Sequence, residues 1–152
     1  MKTKLISFKV KQLEKSDFDA FVAFKGRFIS IFQDPDFQEM FKGDFLRGYS
    51  PERKTAFVCF NSEQIVGEVL LKNYEDTMVG DMIQTDHDFF EQGIADLLLR
   101  KAEEFTVSLG ITKFVVTVAR GNRASINFTI KNGFKPVYNE YPRNIGFEKI
   151  LK

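Results

Sequence analysis

One apolar run, with a helical segment before it and another after it, constrains the fold of this sequence more than any other feature. Residues Lys113–Ala119 are almost continuously apolar, which is typical of a strand that helices cover on both faces. The segment before the run has apolar residues at helical spacing, and Gly110 gives it the expected helix stop. These helical positions are Ile94, Leu97, Leu98, Ala102, Phe105 and Leu109. The helix is expected to join two parallel, neighbouring strands by a right-handed crossover.

The N-terminal part of the sequence predicts a strand followed by a helix. Residues 4–12 alternate between apolar and polar, which predicts a half-buried strand. Ser16 and Asp19 form an S-x-x-D pattern that is typical of a helix start. Asp34 and Pro35 are expected to interrupt this helix. Its apolar stripe contains Phe18, Phe21, Val22, Ile29 and Phe32.

The remaining elements complete a mixed sheet. A second, less regular helical segment is expected over residues 36–47, and a further helix from Asn122 to Lys131. Strands are expected over residues 55–60, 64–71, 78–85, 135–140 and 145–151. The first two of these form a hairpin, and only the strands joined by the crossover helix are parallel. We therefore predict an α/β fold with a central mixed sheet flanked by helices, in a single domain over residues 1–152.

Composition limits the classes of partner. The chain has 152 residues, enough for one core, and its 22 basic and 21 acidic side chains give a net charge of +1. This balance argues against a nucleic-acid-binding protein, which would need a strongly basic face. The N-terminal lysines are expected on the solvated face of an edge strand. The 18 Phe side chains predict a large aromatic core, or in part the lining of a ligand pocket.

The single cysteine and the hydropathy pattern favour a soluble, cytoplasmic protein. Cys59 lies in an apolar run, is expected to be a buried and inert thiol, and fits a reducing compartment. No segment has the length and hydrophobicity of a membrane span, and the N-terminus lacks the apolar stretch of a signal peptide. His87 is the one histidine and has no cysteine nearby, so no metal site is expected.

The start of the crossover helix has the features of a phosphate-binding turn. The first turn of a helix has unpaired backbone N–H groups and the positive end of the helix dipole. Gly93 and Ala95 stand at this start as G-x-A, where small residues let a ligand approach the backbone closely. The pattern therefore indicates a site for phosphate oxygens, although G-x-A by itself occurs at many helix starts.

Residues 64–134 resemble the GNAT acetyltransferase family. The family pattern is a Q/R-x-x-G-x-G/A loop, an amphipathic helix, an apolar strand, an Asn that opens the next helix, and a closing Gly-Phe pair. This chain matches the pattern in order and separation with Gly93, Ala95, Gly110, Ile111, Asn122, Gly133 and Phe134. The N-terminal third agrees only in its order of a strand and then helices.

The resemblance implies acetyl-coenzyme A as the co-substrate and direct transfer of the acetyl group in a ternary complex. It implies that the pantetheine arm follows the strand before the G-x-A loop, at Met82, Ile83 and Thr85. It also implies that the pyrophosphate lies on the backbone N–H groups of Gln92, Gly93, Ile94 and Ala95. Asn122 matches a residue that contacts the pantetheine arm, and it also suits a helix N-cap.

Three residues depart from the family pattern. Phe90 stands at the Gln or Arg position of the loop, and Glu91 stands where a Gly is usual. Thr129 replaces a Tyr that gives a proton to the leaving thiolate in many members, and Tyr138 is the alternative acid. A thiol already leaves well, since its pKa is roughly 8.5.

Carboxylates near the expected cleft are the candidates for the base that deprotonates the acceptor amine. They are Glu68, Asp81 and Asp86. A backbone N–H near Met82 or Ile83 is expected to stabilise the oxyanion.

Two functions from different classes follow. The first is an acetyl-CoA-dependent N-acetyltransferase that acts on an amine. The alternative is a non-catalytic, acetyl-CoA-binding or regulatory protein of the same fold, which the three departures favour. A longer acyl-CoA is a further alternative. Aminoglycosides, polyamines, amino acids and protein N-termini all stay open as acceptors, and a homodimer is expected by analogy with such families.

Overall fold

The computed structural model describes residues 8–81, 83–137 and 143–151. The strands are β1 (Phe8–Gln12), β2 (Lys54–Asn61), β3 (Gln64–Asn73), β4 (Thr77–Gly80), β5 (Gln84–Thr85), β6 (Lys113–Ala119), β7 (Lys135–Val137) and β8 (Asn144–Ile150). The helices are α1 (Phe18–Gly26), α2 (Pro35–Gly48), α3 (Ile94–Ser108) and α4 (Arg123–Lys131). Short 3₁₀ turns cover Lys15–Asp17, Ser30–Gln33 and His87–Phe89.

The strands form one mixed sheet, as the sequence predicts. Its order is β1-β2-β3-β4-β6-β8-β7, with β5 paired to β3 alongside β4. β4 and β6 are parallel and α3 connects them, whereas the other described pairs are antiparallel. The hairpin, the crossover and the mixed α/β architecture are therefore confirmed. β1 is an edge strand, where its lysines were expected.

The strand predicted over residues 78–85 is wrong as a single element. β4 pairs with both β3 and β6, but β5 pairs with β3 through Gly67 and Glu68. Between them the N–H of Asp81 donates to the carbonyl oxygen of Leu70, 2.9 Å away. The chain thus remains paired with β3 after β4 ends, but it no longer pairs with β6, so the sheet opens at this point.

A bulge in β3 lets α3 approach the sheet closely. The register of β2 and β3 shifts between Cys59 and Phe60, opposite the bulge. There Gly67 faces α3, and a Cβ atom on it would lie 2.7 Å from Cγ2 of Ile94 and 3.1 Å from Cδ1 of Leu98. Only glycine fits without displacing the helix, so Gly67 fixes the start of α3 against the sheet.

Side chains from the two faces of the sheet form two apolar clusters. Cys59 belongs to the cluster under α3, and its neighbour Val58 belongs to the cluster under α1 and α2, as strand alternation requires. Burial raises the pKa of the Cys59 thiol to about 11. Nine of the 18 Phe side chains are buried in these clusters or beside them.

Three helix details differ from the sequence-based expectation. Glu14 and Asp17 form the capping box at the start of the helical region, so Ser16 and Asp19 do not. α1 ends at Gly26, and Ile29 beyond it is 40% exposed. On α3 the buried face contains Leu99 and Thr106, whereas Leu97 is 37% exposed. In the first case a competing local capping box sets the helix start, and in the other two tertiary packing selects the buried face.

Two predicted strands extend beyond the described residues. Residues 4–7 of the first one and residues 138–140 of the sixth lie outside them, and β1 and β7 represent the parts within. α2 begins where the sequence predicts an interruption, because Pro35 suits the first turn and Oδ1 of Asp34 accepts from the N–H of Asp36 at 2.8 Å. No helix in the described part of the chain is long and apolar enough to cross a membrane.

Candidate functional site

The sheet opens between β5 and β6. β6 pairs with β4 through residues 113–116, and its remaining residues 117–119 pair with β8 on the far side. Residues 84–85 pair with β3, and in the described sheet no ladder joins them to β6. Two strand edges therefore face each other across a gap, where backbone groups can pair with an extended ligand. Ile83 and Thr85, both predicted to bind a ligand, lie half-buried along it.

The gap leads to the start of α3. Ile94, the first residue of α3, lies against Gly67, and Gly67 pairs with Thr85 on β5. Gly93 is the N-cap, with a φ of 83° and no side-chain hydrogen bond to the first turn. A Cβ on Gly93 would meet no described atom within 4 Å. The first-turn N–H groups thus have open space in front of them and the positive end of a 15-residue helix behind them.

The residues around this turn include the predicted phosphate binders. Gln92 is exposed, and Ala95, whose side chain is a single methyl group, is half-buried. Glu91 has a φ of 64°, a left-handed conformation that favours glycine. The departure at this position therefore places both backbone strain and a carboxylate beside the turn. Asp96 adds a second acidic group in the first turn.

A buried ion pair lies on the opposite face of β3 and β5. Glu68 is 2% exposed and faces α1, where the Lys25 ammonium donates to its Oε1. The same ammonium lies 3.3 Å from Oε1 of Gln84, which is opposite Glu68 in the sheet. Burial raises the pKa of Glu68 in spite of the Lys25 charge, and the Asp81 carboxylate raises it further. Glu68 is thus occupied by Lys25 and hidden from solvent.

The other two candidate carboxylates differ from Glu68 and from each other. Asp81 is exposed and directly follows β4, at the break between β4 and β5. Among the described residues it has no ion pair. Asp86 is 7% exposed, lies 3.5 Å from Nη1 of Arg27, and accepts from the N–H of Asp88 at 3.0 Å. Asp86 therefore stabilises the loop, and Asp81 is the one of the three candidates that is exposed to solvent.

The start of α4 contains two further residues of the predicted site. Oδ1 of Asn122 accepts from the N–H of Ser125 at 3.1 Å, as an N-cap does. Thr129 is 6% exposed and its hydroxyl donates to the carbonyl oxygen of Ser125 at 2.7 Å. The Thr129 proton is therefore engaged by the helix backbone. Met82 and Tyr138, which were also predicted, lie outside the described residues.

Sequence reasoning missed Lys25 and Gln84. Lys25 lies four residues after Phe21 and three after Val22, on the apolar stripe of α1. A charged residue within an apolar stripe is a signal for a buried partner. Gln84 gave no such signal, because its role depends on the pairing of β5 with β3.

Comparisons with known proteins agree with this geometry. The family model described as "Acetyltransferase (GNAT) family" matches residues 12–134. A search of curated proteins finds no match to the sequence.

Solved structures share the fold. The PaiA N-acetyltransferase from Thermoplasma acidophilum, in complex with coenzyme A, is 18% identical, with a TM-score of 0.76 over 95% of this chain and 99% of that one. A GNAT-family acetyltransferase from Staphylococcus aureus Mu50 is 16% identical, with a TM-score of 0.78 over 96% and 100%. The ribosomal-protein-S18-alanine N-acetyltransferase from Escherichia coli is 20% identical, with a TM-score of 0.72 over 95% and 93%. These identities establish a shared fold.

The family model covers most of the chain, and the gap in the sheet leads to an open helix start as the resemblance implied. The predicted family, fold and enzyme class are confirmed. The chain belongs to the GNAT acetyltransferase family.

Proposed function

We propose that this protein transfers the acetyl group of acetyl-CoA to an amine, directly and within a ternary complex. The observation that carries the proposal is the continuity between the gap at β5 and the uncapped start of α3. Residues 83–85 would pair with the pantetheine arm, and the N–H groups of residues 92–95 would hold the pyrophosphate. The coenzyme A complex of the PaiA enzyme supports the choice of co-substrate.

Asp81 is the base in this proposal. Acetyl-CoA supplies an activated acyl group, and the acceptor must lose a proton before its nitrogen can attack. Asp81 is exposed, free of an ion pair in the described structure, and two residues before Ile83 in the sequence. The N–H of Ile83 would donate to the oxyanion. Glu68 is buried and accepts from Lys25, so it is not the base in this proposal.

The leaving thiol needs little help. Its pKa is roughly 8.5, so it departs as a thiolate or with a proton from water. The contact of Thr129 with Ser125 argues against Thr129 as the acid. Tyr138 stays a prediction as the acid, and so do the pantetheine contacts of Met82 and Asn122.

The experiment measures release of free thiol from acetyl-CoA with a panel of amines. We expect turnover with at least one amine, and Asp81→Asn should lower kcat by roughly 10²–10⁴-fold while leaving acetyl-CoA affinity unchanged. Asp76→Asn is the matched control, because Asp76 is an exposed aspartate in the turn between β3 and β4. An Asp81→Asn variant with full activity would exclude Asp81 as the base. Acetyl-CoA binding without turnover of any amine would favour the non-catalytic alternative.

The domain organisation, the assembly and the location of the protein are also proposals. We propose one domain, because β1 near the N-terminus and β8 near the C-terminus belong to the same sheet. A homodimer, a cytoplasmic location and the absence of nucleic-acid partners are further proposals, which rest on the sequence.

A further inference from the structure

Arg27, just after the last residue of α1, joins that helix to the loop that leads into α3. We propose that Arg27 is a positioning residue that sets the conformation of residues 86–93, and so couples α1 to the binding of acetyl-CoA. This inference rests on the proposed function, since it assumes that the loop holds the pyrophosphate.

The guanidinium group of Arg27 is held in one place by several contacts. Its Nη2 donates to the carbonyl oxygen of Ile65, and its Nη1 lies 3.5 Å from Oδ2 of Asp86. Its central carbon lies 5.3 Å from the ring centroid of Phe24 and 6.0 Å from that of Phe28. A planar, always-charged group suits such a combination of ring contacts and hydrogen bonds better than an ammonium does.

Asp86 transmits this contact to the loop. Its N–H donates to the carbonyl oxygen of Val66 at 2.9 Å, which fixes it against the bulge of β3. Its Oδ1 accepts from the N–H of Asp88 and its carbonyl oxygen accepts from the N–H of Phe89, at 3.0 and 2.9 Å. Asp86 thus begins the 3₁₀ turn, and a buried carboxylate in that position needs the Arg27 charge.

A second contact runs in parallel. The ring of His87 lies 5.9 Å from the ring of Phe28, in an edge-on geometry, and 4.7 Å from the ring of Phe90. Phe90 is three residues before Gly93. The loop is therefore attached to the end of α1 by a charge contact and by an aromatic contact.

The other side of the same helix end contacts β3 and β5. Lys25, two residues before Arg27, donates to Glu68 and lies near Gln84. A shift in the end of α1 would move both the Lys25 contact and the loop. Occupancy of the loop by acetyl-CoA should therefore change the stability of the amides at residues 24–28.

The test uses the full-length protein and acetyl-CoA. Calorimetry should show that Arg27→Gln weakens acetyl-CoA binding by roughly 5- to 150-fold, the usual range for coupling between sites. Arg27→Lys should recover part of the affinity, because it keeps the charge and loses the planar group. Arg47→Gln is the control, since Arg47 pairs with Asp44 on the exposed side of α2.

Hydrogen exchange separates positioning from general destabilisation. Acetyl-CoA should slow exchange at residues 24–28 in the wild type and in Arg47→Gln, but not in Arg27→Gln. If Arg27→Gln does not fold, Arg27→Gln with Asp86→Asn removes the unpaired charge and should fold with the same weak binding. Affinity within twofold of wild type in Arg27→Gln, or in the double variant if it is used instead, would overturn the inference. Exchange at residues 24–28 of the wild type that acetyl-CoA leaves unchanged would overturn it too. A wild type that binds no acetyl-CoA would overturn the proposed function, and with it this inference.

Discussion

At the scale of single residues, the contact between Lys25 and Glu68 places a buried ion pair on the face of the sheet that packs against α1. Both side chains are largely hidden from solvent, and the Lys25 ammonium also approaches Gln84. The second oxygen of Glu68, Oε2, has no hydrogen-bond partner among the described residues. A buried carboxylate in this state depends on its one cation.

We predict that Lys25→Met destabilises the protein by about 3–5 kcal/mol at neutral pH, because it leaves the Glu68 charge unpaired. Without Lys25 the pKa of Glu68 rises further, so the folded state binds a proton at a pH where the unfolded state does not. Stability then falls as pH rises through that interval, and acidification towards the ordinary carboxyl pKa should recover much of the loss.

Chemical denaturation at several pH values measures this effect. The double variant Lys25→Met with Glu68→Gln is the control, and it should be far more stable than Lys25→Met alone and lack its pH dependence. A Lys25→Met variant that keeps wild-type stability at neutral pH would contradict the account of this pair.

Single residues were the least predictable part of the site. The sequence presents Glu68, Asp81 and Asp86 as equivalent acids, and only the structure separates a lysine-bound, an exposed and an arginine-bound carboxylate. Asn122 was different, because its N-cap role follows from local sequence and was correctly predicted. The position of Lys25 in an apolar stripe signals a buried partner, but no local pattern identifies that partner as Glu68.

At the scale of elements, the loop before α3 combines strain with charge. Glu91 has a φ of 64° and is exposed, so no packing compensates for its left-handed backbone. Its carboxylate also lies two residues before Gly93, at the proposed pyrophosphate site.

We predict that Glu91→Gly stabilises the protein by roughly 1 kcal/mol, since glycine relieves more strain than its extra unfolded-state freedom costs. Acetyl-CoA binding should tighten by about two- to fivefold, because a carboxylate near the start of a helix opposes an anionic ligand. Thermal unfolding and calorimetry measure the two effects.

Glu75→Gly is the matched control for this variant. Glu75 has a φ of 75° and is exposed, in the turn between β3 and β4. It should give a similar gain in stability with no change in affinity. Equal changes in affinity for both variants would show that the Glu91 charge does not act on the ligand.

Elements were predictable where the local pattern carries the information. The hairpin, the crossover helix and the parallel pair were predicted because periodicity and helix stops are local. The break between β4 and β5 was missed, since it depends on which neighbour each half of a strand pairs with. The helix start at Ser16 was wrong because Glu14 and Asp17 make a competing capping box.

At the scale of the whole molecule, one sheet joins the buried pair of Lys25 and Glu68 to the proposed cofactor site. β3 contacts α1 through Glu68 and α3 through Gly67, which are adjacent residues on opposite faces. β5 pairs with both of these residues and also borders the gap. The central claim is that the gap and the start of α3 together hold acetyl-CoA.

Calorimetric titration of acetyl-CoA into Gly93→Glu and Gly110→Glu tests this claim most directly. The two glycines stand at opposite ends of α3, have φ values of 83° and 77°, and both have open space at the Cβ position. Each variant should lose about 1–2 kcal/mol of stability to the left-handed backbone.

Only Gly93→Glu places a carboxylate where the pyrophosphate is expected. We predict that the wild type and Gly110→Glu bind acetyl-CoA with similar affinity, and that Gly93→Glu binds at least about 30-fold more weakly. Equal affinity in the two variants, or no binding by the wild type, would contradict the central claim.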